Sequence, residues 1–230
     1  MAETKRTVRI WDLPTRIVHW AMALSVAGAF VSVKTGAMAW HGRFGLAMLG
    51  LLVFRLAWGF VGSTYARFGQ FLPGPSALRA YLRGEWRGEG HNPLGALSVL
   101  AMLAILLLLA ATGLFANDDV AFEGPLYALA GKVFSDRASG IHRLLEPGLI
   151  LLVLAHLGAI AYYVRFRRAT LIMPMITGLK PSDAAPARGG GAARFSAALI
   201  LALAAVWAAS GAWLPEPAPA PAVEGSAPAF

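Results

Sequence analysis

Polar and apolar residues fall along this chain in long blocks. The apolar blocks run from about Ile17 to Val33, Trp40 to Val61, Pro93 to Ala116, Gly140 to Val164 and Phe195 to Leu214. Blocks of this length match the roughly 20 residues that a helix needs to cross about 30 Å of hydrocarbon. The connection between the first two, Lys34 to Ala39, is short enough to make those helices antiparallel neighbours. Pro93 suits the first turn of the third helix. Residues 62–93 are polar and rich in Gly, Pro and Arg, and GPSALRAYLRGEWRG within them reads as a short surface helix. The pattern predicts an all-α integral membrane protein: a four-helix bundle plus a fifth, C-terminal transmembrane helix. PSDAAPARGGGAAR reads as a flexible linker (residues 181–194), and the Pro/Ala-rich tail (215–230) as disordered.

Composition supports this picture. Hydrophobic residues make up 57% of the chain and charged ones only 14%, against about a quarter charged in soluble domains. The absence of cysteine excludes disulfides, thiolate metal sites, iron–sulfur clusters and covalent haem attachment. The net charge of +8 would suit nucleic acid, but its distribution points elsewhere. Placing the N-terminus, the 62–93 loop and the 165–194 stretch on one side, with Arg55 at a helix end, puts fifteen of the twenty Lys and Arg there. The other side has five bases (Lys34, Arg43, Lys132, Arg137, Arg143) against seven acids, a balance of −2. The positive-inside rule therefore predicts a cytoplasmic N-terminus and a periplasmic C-terminus in a multi-pass inner-membrane protein, with no nucleic-acid partner. Basic residues before an apolar run also open signal peptides, but the first run is longer than such a region and begins with His19 and Trp20, so it reads as a retained helix.

Histidine within lipid is expensive and seldom idle. His142 and His156 lie fourteen residues apart in the fourth block, which places them on one helix face about 21 Å apart along the axis. With alternating helix directions, His19 lies level with His156 and His41 with His142. Two imidazoles at each level, from separate helices, suit six-coordinate haem iron and hence electron transfer. The predicted axial pairs are His19/His156 and His41/His142. Arg16, Arg43 and Arg143 are candidate partners for haem propionates, with Arg165 beside the inner level. Gly28, Gly45, Gly50, Gly148 and Gly158 serve either porphyrin approach or helix packing. A di-metal centre is disfavoured because no carboxylate accompanies the deeper pair. Glu146, one turn from His142 and before Pro147, reads as an interfacial residue near a Pro kink, or as an acid that supports the His142 ligand or exchanges a proton. His91 reads as a loop or capping residue, with a quinone-linked proton donor as the minority reading.

VRIWDLPTRIVHW (8–20), FRLAWGFVGSTYARF (54–68), GHNPLG (90–95), TGLFANDD (112–119), FEGP (122–125) and MITGLK (175–180) resemble the bacterial cytochrome b561 family, in the group that includes the nickel-hydrogenase b-type subunits. The resemblance covers residues 8–180. It implies a four-helix membrane bundle with two b haems, so that residues 1–180 form a di-haem domain and 195–214 an added transmembrane helix. The expected function is electron transfer between membrane quinone or quinol and a periplasmic partner such as a c-type cytochrome. The alternatives are a superoxide:quinone oxidoreductase, which the negative outer balance disfavours, and a membrane anchor subunit of a larger oxidoreductase such as a hydrogenase.

Overall fold

The computed structural model describes residues 6–86 and 92–215. His91 and the tail from residue 216 onward lie outside the described residues. The chain begins with β1 (Thr7–Arg9) and enters α1 (Leu13–Lys34). Asp12 caps α1, its carboxylate accepting the Thr15 N–H at 2.7 Å, and Pro14 occupies the first turn, where no N–H is needed. The helix therefore starts four residues before the apolar run. Gly36, at φ +71°, turns the chain, and α2 (Met38–Val61) returns antiparallel to α1.

Next come a 3-10 turn (Thr64–Ala66), α3 (Phe68–Phe71) and α4 (Pro75–Leu82), the last in the segment read as a surface helix. Phe68 and Phe71 bury against Met48, Leu52, Ala96 and Leu103. Gly59 makes room for this, because a Cβ there would stand 2.1 Å from the Phe68 ring. Asn92 caps α5 (Pro93–Gly113) by accepting the Gly95 N–H at 2.7 Å. The connection to the fourth long helix contains α6 (Tyr127–Ala130).

α7 (Lys132–Arg165) has 34 residues and begins eight before the apolar block. Its first two turns are polar, and their pairing with the preceding loop is what makes them helical. Ser135 and Ser139 hydrogen-bond Asn117, and Lys132 bridges Asp119 and Asp136. After α8 (Ile172–Thr177), β2 (Leu179–Pro181) pairs antiparallel with β1, Val8 opposite Lys180. A short ribbon thus joins the two ends of the family-like region in an otherwise helical fold.

Residues 182–191, which composition marks as flexible, run as a strap. The Ser182 and Ala187 N–H groups donate to the Arg6 and Arg9 carbonyls at 3.0 and 2.7 Å, and the Tyr65 hydroxyl to the Ala185 carbonyl at 2.7 Å. Gly189, Gly190 and Gly191 take φ values of +79° to +89°, a left-handed path that glycine follows without strain. The strap delivers the chain into α9 (Ala192–Ala209), which Ser210 and Gly211 (φ +69°) stop short of the apolar block's end.

The long helices α1, α2, α5, α7 and α9 are each long and apolar enough to span a membrane. Most of their outward apolar side chains are exposed, as lipid contact requires. α2 is the centre of packing, touching α1, α5 and α9, whereas α7 packs chiefly on α5. The helices that carry the histidines, α1 and α2 on one side and α7 on the other, therefore face each other without close backbone packing.

Candidate functional site

His41 sits in the first turn of α2 and His142 in the first half of α7. Their rings face each other with centroids 6.0 Å apart and planes at 80°. His41 Nδ1 lies 3.1 Å from the Ala29 carbonyl of α1. His142 Nδ1 lies 3.0 Å from the Leu109 carbonyl and 3.2 Å from the Thr112 hydroxyl of α5. That hydroxyl donates to the Leu108 carbonyl at 2.7 Å, which leaves its lone pair to accept from the imidazole. A carbonyl oxygen only accepts, so each Nδ1 carries the proton and each Nε2 keeps a free lone pair. This is the arrangement that prepares a histidine for metal ligation.

The two rings line a cavity of 370 Å³ between α1, α2, α5 and α7, within the range of about 300–1,000 Å³ typical of ligand pockets. Its walls are mainly apolar, with Phe30, Phe44, Leu106 and Leu149 among them, and Arg143 and Glu146 stand at the polar side. Gly45 also lines it, and a Cβ there would meet nothing within 4 Å. Gly28 and Gly148 serve packing instead, since a Cβ would stand 2.4 Å from Phe44 and 3.0 Å from Ile105. Gly50 likewise accepts Val206 of α9, at 2.7 Å.

These features fit haem b. Two imidazoles binding one metal at roughly 2 Å from each nitrogen have centroids about 6 Å apart, and Gly45 leaves open space beside them. No group of three or more His, Asp and Glu able to hold a bare metal ion occurs among the described residues.

The second predicted pair is His19, near the start of α1, and His156, in the last third of α7. His19 of α1 is within electrostatic reach of His156 of α7. Its Nδ1 is buried without a hydrogen-bond partner among the described residues, whereas both histidines of the first pair have theirs. The three candidate arginines separate. Arg143 lines the cavity. Arg43 lies over the Trp40 ring, 4.7 Å from its centroid, and is not among the cavity residues. Arg16 donates to the Ile176 carbonyl, and its Nε is buried without a partner among the described residues.

Sequence reasoning missed the groups that orient the first pair, Ala29, Leu109 and Thr112. Two of them act through backbone carbonyls, which no side chain announces. Thr112, a hydroxyl in an apolar helix level with His142, was the one available signal.

A family model described as prokaryotic cytochrome b561 matches residues 10–178. The match stops before α9. A relative from Rhizobium leguminosarum bv. viciae, described as a "Probable Ni/Fe-hydrogenase B-type cytochrome subunit", is 27% identical over 216 residues, covering 76% of this chain and 89% of that one. No solved structure matches significantly.

Proposed function

Because the chain belongs to the prokaryotic cytochrome b561 family, an integral membrane group of b-type cytochromes, we propose that it carries electrons across the inner membrane through two haem b groups, between membrane quinone or quinol and a periplasmic redox partner. His41 and His142 would hold the outer haem, and His19 and His156 the inner one. The observation that carries this reading is the facing pair of imidazoles, each with Nδ1 tied to a backbone carbonyl. Haem b, when bound, supplies a one-electron Fe(III)/Fe(II) couple. With both imidazoles of a pair as donors, the haem would have no free position for oxygen, and the chemistry it would supply is electron transfer.

The chain's own residues account for the rest. Leu109, Thr112 and Ala29 fix the ring orientations. The apolar wall keeps water from the pocket, and Arg143 places a cation at its edge for a propionate. Arg16, one turn before His19, has a buried Nε without a partner among the described residues and would serve the inner haem in the same way. The basic N-terminal side faces the cytoplasm by the positive-inside rule. Residues 1–180 form the di-haem unit, to which α9 is an addition.

A second reading, a membrane subunit of a larger oxidoreductase, is favoured by the printed description of the Rhizobium relative. Co-purification from native membranes separates the two.

Haem quantitation with four His→Ala variants tests the leading reading. Wild type is expected to bind two haems per chain. His19→Ala and His156→Ala should each remove one spectral component, and His41→Ala and His142→Ala the other. Loss of the same component from His19→Ala and His41→Ala would overturn the pairing.

A further inference from the structure

At 34 residues, α7 is about 51 Å long, while the hydrocarbon core is about 30 Å thick. Its C-terminal end is fixed at a membrane surface by Arg165, Arg167 and Arg168. Its first two to three turns therefore stand clear of the lipid at the other surface. The loop of residues 114–131 is folded against them. Asn117 is buried there: its N–H donates to Ser139 at 2.8 Å, its amide to Ser135 at 2.9 Å, and its carbonyl accepts from Ser139 at 2.9 Å. The Asp118 carboxylate accepts the N–H groups of Val120, Ala121 and Phe122 at 2.8 to 2.9 Å. These bonds hold its carboxyl below the usual aspartate value. The result is an ordered cap.

The underside of this cap is the roof of the His41/His142 pocket. Asn117, Asp118, Phe122 and Ser139 line the cavity, and the Phe122 ring stands edge-on to His41 with centroids 6.5 Å apart. The outer side presents apolar groups to water: Val120 is 89% exposed, Val133 70% and Phe134 53%. The Lys132–Asp119 ion pair joins the two segments that carry them. Over residues 114–139 the acids Asp118, Asp119, Glu123 and Asp136 outnumber the bases Lys132 and Arg137. By the length of α7 these residues lie beyond the hydrocarbon, and an exposed apolar patch with a charged rim marks an interaction surface.

We propose that this cap is the docking surface for a soluble one-electron carrier whose cofactor edge is ringed by lysine and arginine. Val120, Val133 and Phe134 form the contact centre, and Glu123 and its acidic neighbours form the steering rim. The inference rests on the reading that His41 and His142 hold the outer haem. The acids orient a basic carrier and speed its arrival. The small apolar centre suits the brief contact of electron-transfer pairs, which sit at the low end of interface size. In the exchange the reduced protein loses one electron and the oxidised carrier gains it, with no bond made and no proton moved. The surface lies over the pocket that supplies that electron.

The test uses the full-length, haem-loaded protein in nanodiscs, reduced with dithionite and desalted. Mitochondrial cytochrome c is the basic probe, and ferricyanide is the small acceptor that needs no docking surface. The triple variant Val120→Ser, Val133→Ser, Glu123→Gln leaves every cap hydrogen bond named above in place. It should slow reduction of cytochrome c about tenfold with its haem spectrum unchanged. Added salt should slow the wild type and affect the variant less, and the ferricyanide rate should be the same for both. Equal cytochrome c rates in wild type and variant, or a wild-type rate indifferent to salt, would overturn the proposal. So would a change of oligomeric mass in the variant, which would assign the patch to a second copy of the chain. Failure of the underlying reading looks different: His41→Ala would then keep the full haem spectrum.

Discussion

Two neighbouring glycines on α2 show how one missing side chain can serve opposite ends. Gly50 is filled by Val206 of a neighbouring helix, while Gly45 opens on the cavity with nothing within 4 Å of a Cβ position. A bulky residue at Gly45 should therefore enter the pocket without disturbing any protein contact. Gly45→Phe is expected to remove the spectral component that His41→Ala removes, with little change in thermal stability of the apoprotein. Retention of both components would mean that the space beside Gly45 is not occupied by the cofactor. The ligand candidates were legible in the sequence, because an imidazole in an apolar helix stands out and helical spacing fixes its level. The division of the glycines was not, because a glycine carries no sign of what lies opposite. For the same reason Arg43 and Arg143, near two candidate ligands in sequence, part company: one stacks on Trp40 and the other lines the cavity.

At the scale of elements, Asp12 does more than begin a helix. Its carboxylate accepts the Thr15 N–H at 2.7 Å and the Trp58 indole N–H of α2 at 2.9 Å, so it ties α1 to the last turn of its partner. Burial pushes this carboxyl up, but the hydrogen bonds outweigh it and hold it below the ordinary 3.8. Asp12→Ala should cost about 1–2 kcal/mol, the sum of a lost cap and a lost side-chain bond. With the folded-state value depressed, the stabilisation is present above pH 3.8 and is lost as pH falls through the lower folded-state value. Melting curves of wild type and variant should thus differ near neutrality and converge in acid. A gap that widened on acidification would contradict the assignment. Apolar runs announced the five long helices but misplaced their ends by up to eight residues. Caps and polar pairings set those ends, as Asp12 does for α1 and Asn117 for the start of α7.

For the whole molecule, α2 is the member on which the others converge, with α1, α5 and α9 around it. α9 lies outside the family match, yet it seats Phe195 against Phe54 and Trp58 and packs Ala198 and Ala202 into the same cluster. The close approach depends on Gly50, so Gly50→Leu should destabilise the protein by about 1–3 kcal/mol through overpacking. Because this face of α2 is not the one that lines the pocket, haem content should stay at the wild-type level. Loss of haem in Gly50→Leu would show that α9 supports the pocket rather than only covering α2.

The sequence by itself determined the class of protein, the number of long apolar helices and the helix on which each of His19, His41, His142 and His156 lies. These follow from local composition and the fixed rise of the helix, which no distant contact alters. Only the tertiary structure decided which nitrogen of His41 and His142 stays free, where the pocket opens, and that the polar start of α7 and the Asn117 loop form a cap over it. Those depend on carbonyls and side chains brought together from separate helices. Such pairing is set by packing across the bundle and leaves no mark in any single stretch of the chain.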